Sequence, residues 1–172
     1  MPCASAPRVF IGSITPKYSG AFTSTATLFK RWQLYAMVDY KGGHKVFDWD
    51  RHIRCDQFRV CEAVFRPEKY DPIYVAEVQQ GQTGELADRF IHDASFAKLR
   101  EVSVTYQLPD RLMSRVHVGR TSLTLSGRNL HTWTKWTSLD PESRSQVQSL
   151  ANFTQAVMPE LQQFIGTLRV AF

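Results

Sequence analysis

Side chains able to do chemistry are few and scattered. Five histidines (His44, His52, His92, His117, His131) and three cysteines (Cys3, Cys55, Cys61) are present. A metal centre needs donors that converge, usually announced by short fixed spacings, and no two of the histidines stand at such a spacing. They read as solvated loop or sheet residues. The chain has no GxSxG, no HExxH and no glycine-rich phosphate loop. No catalytic, cofactor-binding or metal site is therefore expected, and the chain does not read as an enzyme. Cys55 and Cys61 share one polar segment. They either pair in an oxidising compartment or remain thiols. Asp39 and Glu101 are a conceivable carboxylate pair, but each sits on the polar side of an alternating stretch, where a charge facing water fits better. Trp133 and Trp136 lie close together in His131-Thr-Trp-Thr-Lys-Trp136. Such flat apolar rings either stack on a sugar or similar substrate, or belong to an aromatic girdle or loop packing.

The elements that must carry these residues alternate with period two, the mark of strands with one face in an apolar medium. The end of the chain does so most clearly. Phe164, Gly166, Leu168, Val170 and Phe172 share one side; Ile165, Thr167, Arg169 and Ala171 share the other. In the stretch Trp32 to Tyr40, Trp32, Leu34, Ala36, Val38 and Tyr40 form an apolar face with aromatics at both ends and aliphatics between. Val102, Val104 and Tyr106 line up likewise, and Lys98 and Arg100 fall by the same alternation on the apolar side, nearer the long loop that precedes the strand. Leu123 and Leu125 alternate with Ser122, Thr124 and Ser126.

About five strands are predicted, near 21–28, 32–48, 94–108, 120–131 and 162–172. Residues 1–20 read as a lead-in loop and Phe29-Lys30-Arg31 as a short turn. Residues 50–94 lack sustained alternation, with a helical stretch expected around 77–90, and 131–161 form a second long loop. Connections thus run short, long, short, long, which places the long ones on one side of a sheet. The apolar face is expected to be exposed, because no second layer is available to bury it.

Composition sets bounds. A net charge of +5 is spread along the chain without a dense basic run, which gives no nucleic-acid footprint. A hydrophobic content of 43% suits either a packed core or an alternating barrel. No run of 18 apolar residues is present, so no transmembrane helix is expected. The N-terminus lacks the charged and apolar regions of a secretory signal, which taken alone argues for the cytoplasm and conflicts with a barrel.

The run Asp93 to Pro109 (DASFAKLREVSVTYQLP) resembles a late barrel strand of TonB-dependent outer-membrane receptors of the SusC/RagA type. Ser126-Gly127-Arg128-Asn129-Leu130, then Trp133-Thr134-Lys135-Trp136, then Leu139-Asp140-Pro141-Glu142 are similar to the strand and loop that follow it. Ala21 to Val46 is similar to the preceding hairpin. The resemblance implies an all-β chain, residues 1–172 being a partial C-terminal region of a transmembrane β-barrel with long extracellular loops, without the plug domain and most of the strands. It implies a non-enzymatic part in outer-membrane uptake of a large nutrient such as an oligosaccharide or peptide. Implied partners are outer-membrane lipid, the barrel assembly machinery, the TonB complex and a surface SusD-like lipoprotein. In this reading Phe164, Gly166, Leu168, Val170 and Phe172 form the membrane-assembly strand, its terminal aromatic read by the assembly machinery. Trp133 and Trp136 are the candidate substrate-loop aromatics. A soluble or secreted β-sheet module, binding carbohydrate through the Trp loop, is the alternative.

Overall fold

The computed structural model describes residue 7 and residues 9–80, 88–142, 153–154 and 158–171. The chain forms two compact units: a sheet unit (Tyr18–Lys41, Phe96–Thr134, Glu160–Phe172) and a loop unit (Met1–Lys17, Gly42–Ser95, Lys135–Pro159).

The sheet unit is a five-stranded sheet, in the order β1 (Tyr18–Leu28), β2 (Trp32–Gly42), β5 (Phe96–Gln107), β6 (Thr121–Thr134) and β8 (Gln163–Val170). The expected all-β segment of about five strands is present, and β2/β5, β5/β6 and β6/β8 pair antiparallel. A tight turn joins β1 to β2, where Arg31 N–H donates to Leu28 C=O at 3.2 Å. Its central residues, Phe29 and Lys30, have φ of 49° and 62°. Positive φ at both positions defines a type I′ turn, whose twist matches that of the flanking strands.

Two irregularities change which side chains share a face. Met37 pairs with Glu101 but Val38 pairs with Leu99, so Arg100 is an extra residue in β5. On β6, Asn129 and Leu130 lie between the partners of Glu101 and Leu99, and Asn129 has φ of 53°. An extra residue reverses the facing of everything beyond it. Lys98 therefore pairs with Asp39, and Arg100 grips the Asp39 carboxylate with two bonds of 2.9 Å. This corrects the expectation that Lys98 and Arg100 lie on the apolar side.

The predicted strand 32–48 is divided. Gly43, at φ 74°, ends β2 in a conformation that L residues rarely adopt, and its N–H donates to Ser95 Oγ. The chain resumes as β3 (Lys45–Asp48) in a separate sheet with β4 (Ile91–Asp93) antiparallel and β7 (Phe153–Thr154) parallel. Residues 50–94 carry more order than their lack of alternation suggests: α1 (Trp49–Asp56), α2 (Glu62–Phe65) and α3 (Pro72–Gln80). Asp48 caps α1 by accepting from Arg51 N–H, and Asp71 accepts from the N–H groups of Ile73 and Tyr74 ahead of α3. With Pro72 at its first position, α3 begins before the expected helix at 77–90; residues 81–87 lie outside the described ones. A short helix, α4 (Asp110–Met113), lies in the connection to β6.

The loop unit has a buried core of Cys55, Ala63, Tyr74, Val78 and Phe90, and a smaller cluster of Val46, Ala94 and Trp136. Cys55 and Cys61 form a disulfide, which settles the open choice between a pair and two thiols. The sheet unit is built differently. Among the described residues, Phe96 is the one buried apolar side chain on its five strands.

Candidate functional site

One face of the five-stranded sheet is apolar, contiguous and unburied, and register shows how each strand contributes to it. Trp32 pairs with Tyr106, Tyr106 with Leu123, and Leu123 with Leu168. The next row is Leu34, Val104, Leu125 and Gly166, and the row after it Ala36, Val102, Gly127 and Phe164. Trp32, Leu34, Leu123, Leu125, Phe164 and Leu168 are exposed, Ala36, Val102, Val104 and Tyr106 are half-buried, and Gly127 is buried. Phe164 is 80% exposed, Leu168 63% and Leu125 60%, as the alternation predicts. Exposed contiguous apolar area of this kind costs free energy in water and marks a surface meant for an apolar environment.

Aromatics bound the face at both ends. At the turn end, the Trp32 and Tyr106 rings lie 4.5 Å apart. At the other end stand Tyr18 and Tyr40, with ring centroids 6.4 Å apart. Tyr40 lies across Gly20, where a Cβ would come within 2.7 Å of its hydroxyl. Trp133 joins this end, since Tyr40 pairs with Ala97 and Ala97 with Trp133. From Trp32 to Tyr40 is roughly 27 Å along a strand at about 3.4 Å per residue. A tilt of about 40° reduces that to roughly 20 Å, close to the apolar band of about 25 Å between the aromatic girdles of a membrane barrel.

The opposite face is polar and internally paired. Thr105 and Thr124 share a hydrogen bond of 2.8 Å, and Arg128 meets Glu101 at 3.2 Å. Arg100 bridges Asp39 and Glu160, the latter at 2.8 Å. Asp39 and Glu101 are thus each held by an arginine instead of facing one another as a catalytic pair would.

The structure does not treat the predicted aromatics alike. Trp133 is half exposed and meets the His131 ring edge-on at 4.7 Å. Trp136 is 6% exposed and packs with Val46 and Ala94, its ring 6.1 Å from His92. The Trp136 indole is enclosed by this cluster, whereas Trp133 keeps an open side. Of the residues expected to form an assembly strand, Phe164, Gly166, Leu168 and Val170 are exposed on β8; Phe172 lies outside the described residues.

Sequence reasoning missed the polar half of the loop unit. A cleft of about 400 Å³ is lined by Arg51 and Arg54 of α1, Glu62 of α2, Tyr70, Tyr74, and the hydroxyls of Thr137 and Ser138. Nearby, Asp48 is fully buried and accepts from Ser138 Oγ. Burial, aided by the Arg51 charge and opposed by Asp48, holds the His92 imidazole below its ordinary range. Burial raises the Tyr74 phenol, with Arg51 acting in the opposite sense. Two hydrogen bonds from Ser95 hold the Asp93 carboxyl low. The Asp-Pro start of α3 was the readable signal for this region; the meeting of residues near 51, 70 and 137 had none.

No protein-family model matches the chain. It is 31% identical over 58 residues to the TonB-dependent receptor P3 of Formosa agariphila, a match covering 34% of this chain and 6% of that protein. Its fold is similar to that of the RagAB peptide importer. In the closed-closed state the TM-score is 0.71 at 23% identity, over 95% of this chain and 18% of that one. In the open-open state it is 0.70 at 22% identity, with the same coverage. The chain therefore spans less than a fifth of the proteins it matches. On the exposed apolar face, the strand order and these likenesses, the chain has the fold of a barrel segment of a SusC/RagA-type TonB-dependent receptor.

Proposed function

We propose that residues 1–172 form part of the C-terminal barrel of an outer-membrane TonB-dependent transporter for a large nutrient, without catalytic activity of their own. The observation that carries this reading is the unburied apolar face bounded by aromatics at both ends. In this arrangement the face of Leu34, Val104, Leu125 and Leu168 meets lipid. The face of Asp39, Arg100, Glu101 and Arg128 lines a wet interior, where paired charges are tolerated. The five strands leave two open edges, which lipid cannot satisfy, so further strands close the ring. By resemblance, the partners are outer-membrane lipid, the barrel assembly machinery, the TonB complex and a SusD-like lipoprotein. RagAB imports peptides, which favours a peptide cargo over an oligosaccharide. The alternative of a soluble carbohydrate-binding module has less support, because Trp136 is buried.

Cysteine accessibility tests the reading. With Cys3 replaced by Ser and the Cys55–Cys61 disulfide intact, single cysteines are placed at Leu125, Leu168, Thr124 and Thr167. In isolated outer membranes, a water-soluble maleimide is expected to label the two threonine sites and spare the two leucine sites. Equal labelling of both sets, or recovery of the protein in the soluble fraction, overturns it.

A further inference from the structure

The loop-unit cleft brings two arginines, Arg51 and Arg54, together with one carboxylate, Glu62. Arg51 and Arg54 stand three positions apart on α1, the spacing that puts two side chains on one helix face. Like charges so placed repel, and among the described residues their hydrogen-bond partners are neutral. Arg51 Nη1 donates to Thr137 Oγ1 at 3.4 Å, and Arg54 Nε to the Asp50 carbonyl at 3.3 Å. Among the described residues these bonds engage one N–H donor of each arginine. The carboxylate lining the cleft, Glu62, has partners of its own: Tyr70 donates to it at 3.1 Å, Lys69 at 3.3 Å, and Arg66 lies 3.9 Å away.

The walls are held in place. The Cys55–Cys61 disulfide ties the end of α1 to the start of α2, and Tyr74, itself 7% exposed, donates to Cys55 Sγ at 3.5 Å. Thr137 and Ser138 add hydroxyls to the lining. A planar guanidinium presents paired donors that match the two oxygens of a carboxylate. From two such groups, hydroxyls and phenol rings in one cleft, we infer that the loop unit contains a carboxylate-binding site, with Arg51 and Arg54 as its anion contacts. The carboxylate belongs to a peptide or to the uronate of an acidic oligosaccharide. That it is part of a transported cargo rests on the reading above; the binding itself does not.

The test is calorimetric titration of the full chain in detergent micelles. The probes are N-acetyl-trialanine with a free C-terminal carboxylate, the same peptide as its C-terminal amide, trigalacturonate and neutral galactotriose. The peptide acid is expected to bind at least tenfold more tightly than the amide if the source is a peptide. Trigalacturonate is expected to exceed galactotriose by a similar factor if it is a uronate. The R51Q/R54Q variant is expected to lose the preference, and R51K/R54K to keep part of it, since charge without the paired fork still attracts. The acid–amide comparison on the wild-type chain stands even if the glutamine variant fails to fold. Equal binding of charged and uncharged probes, no binding of either carboxylate, or an unchanged preference in a folded R51Q/R54Q variant overturns the site. Failure of membrane placement in the cysteine experiment leaves this result independent.

Discussion

Trp133 and Trp136 are three positions apart and answer to different environments. Trp136 fills the cluster with Val46 and Ala94, so Trp136→Ala leaves a cavity. Truncating a buried large aromatic costs about 3–5 kcal/mol. Trp133 is half exposed, and Trp133→Ala is expected to cost under about 1 kcal/mol by the same reasoning. Hydrogen exchange of the amides of β3 and β4 reads the difference: strong loss of protection for the first variant, little change for the second. His92 and Asp93 add a pH dependence. The folded state lowers the His92 affinity for protons, so the unfolded chain binds the proton first as pH falls below about 6.5. Stability is full above that pH and declines as it drops. Asp93, held low by Ser95, adds a further loss only as pH falls below the ordinary carboxylate range. Protection of the β4 amides is expected to fall between pH 7 and 5 in the wild type and to stay flatter in His92→Gln. Equal slopes in both would remove His92 from the account.

At the scale of elements, the β1–β2 turn is formed by residues ill suited to it. Phe29 and Lys30 both take positive φ, which costs an L residue about 1–2 kcal/mol. Asn-Gly accepts the same geometry with little strain. The F29N/K30G pair is therefore expected to stabilise the hairpin by roughly 1–2 kcal/mol, seen as a higher urea midpoint. An unchanged or lower midpoint would show that Phe29, 89% exposed, is used for something other than the turn. The β5 bulge has the opposite character. It brings Arg100 to the polar face beside Asp39, where straight alternation would leave the cation among the valines and leucines. A cation at the midplane of a bilayer costs about 2–4 kcal/mol, so the bulge is consistent with a lipid-facing role for the other side.

For the whole molecule, the prediction concerns assembly. The final strand of a barrel must pair with the first to close the ring. With Phe164, Leu168 and Val170 presented on one exposed side of β8, we propose that this strand and the terminal Phe172 are what an insertion machine grips. In a full-length receptor carrying this segment, Phe172→Asp is expected to lower the amount found in purified outer membranes several-fold. Equal levels in wild type and variant would sink the proposal.

Alternation by itself determined the five strands, their apolar face and its aromatic ends, because in a sheet the facing of a side chain follows from its parity along the strand. The tight turn was legible for the same local reason. Parity fails at an inserted residue, so the reversal at Arg100 needed the pairing of three strands to be seen. The helices were poorly legible: their apolar positions are few, and the helix expected around 77–90 begins earlier, at Pro72. The burial of Trp136, the Cys55–Cys61 disulfide and the Arg51–Arg54 cleft were decided by tertiary structure alone. Each depends on contacts made or geometry set by segments folding together, and no spacing along the chain encodes which of them will meet.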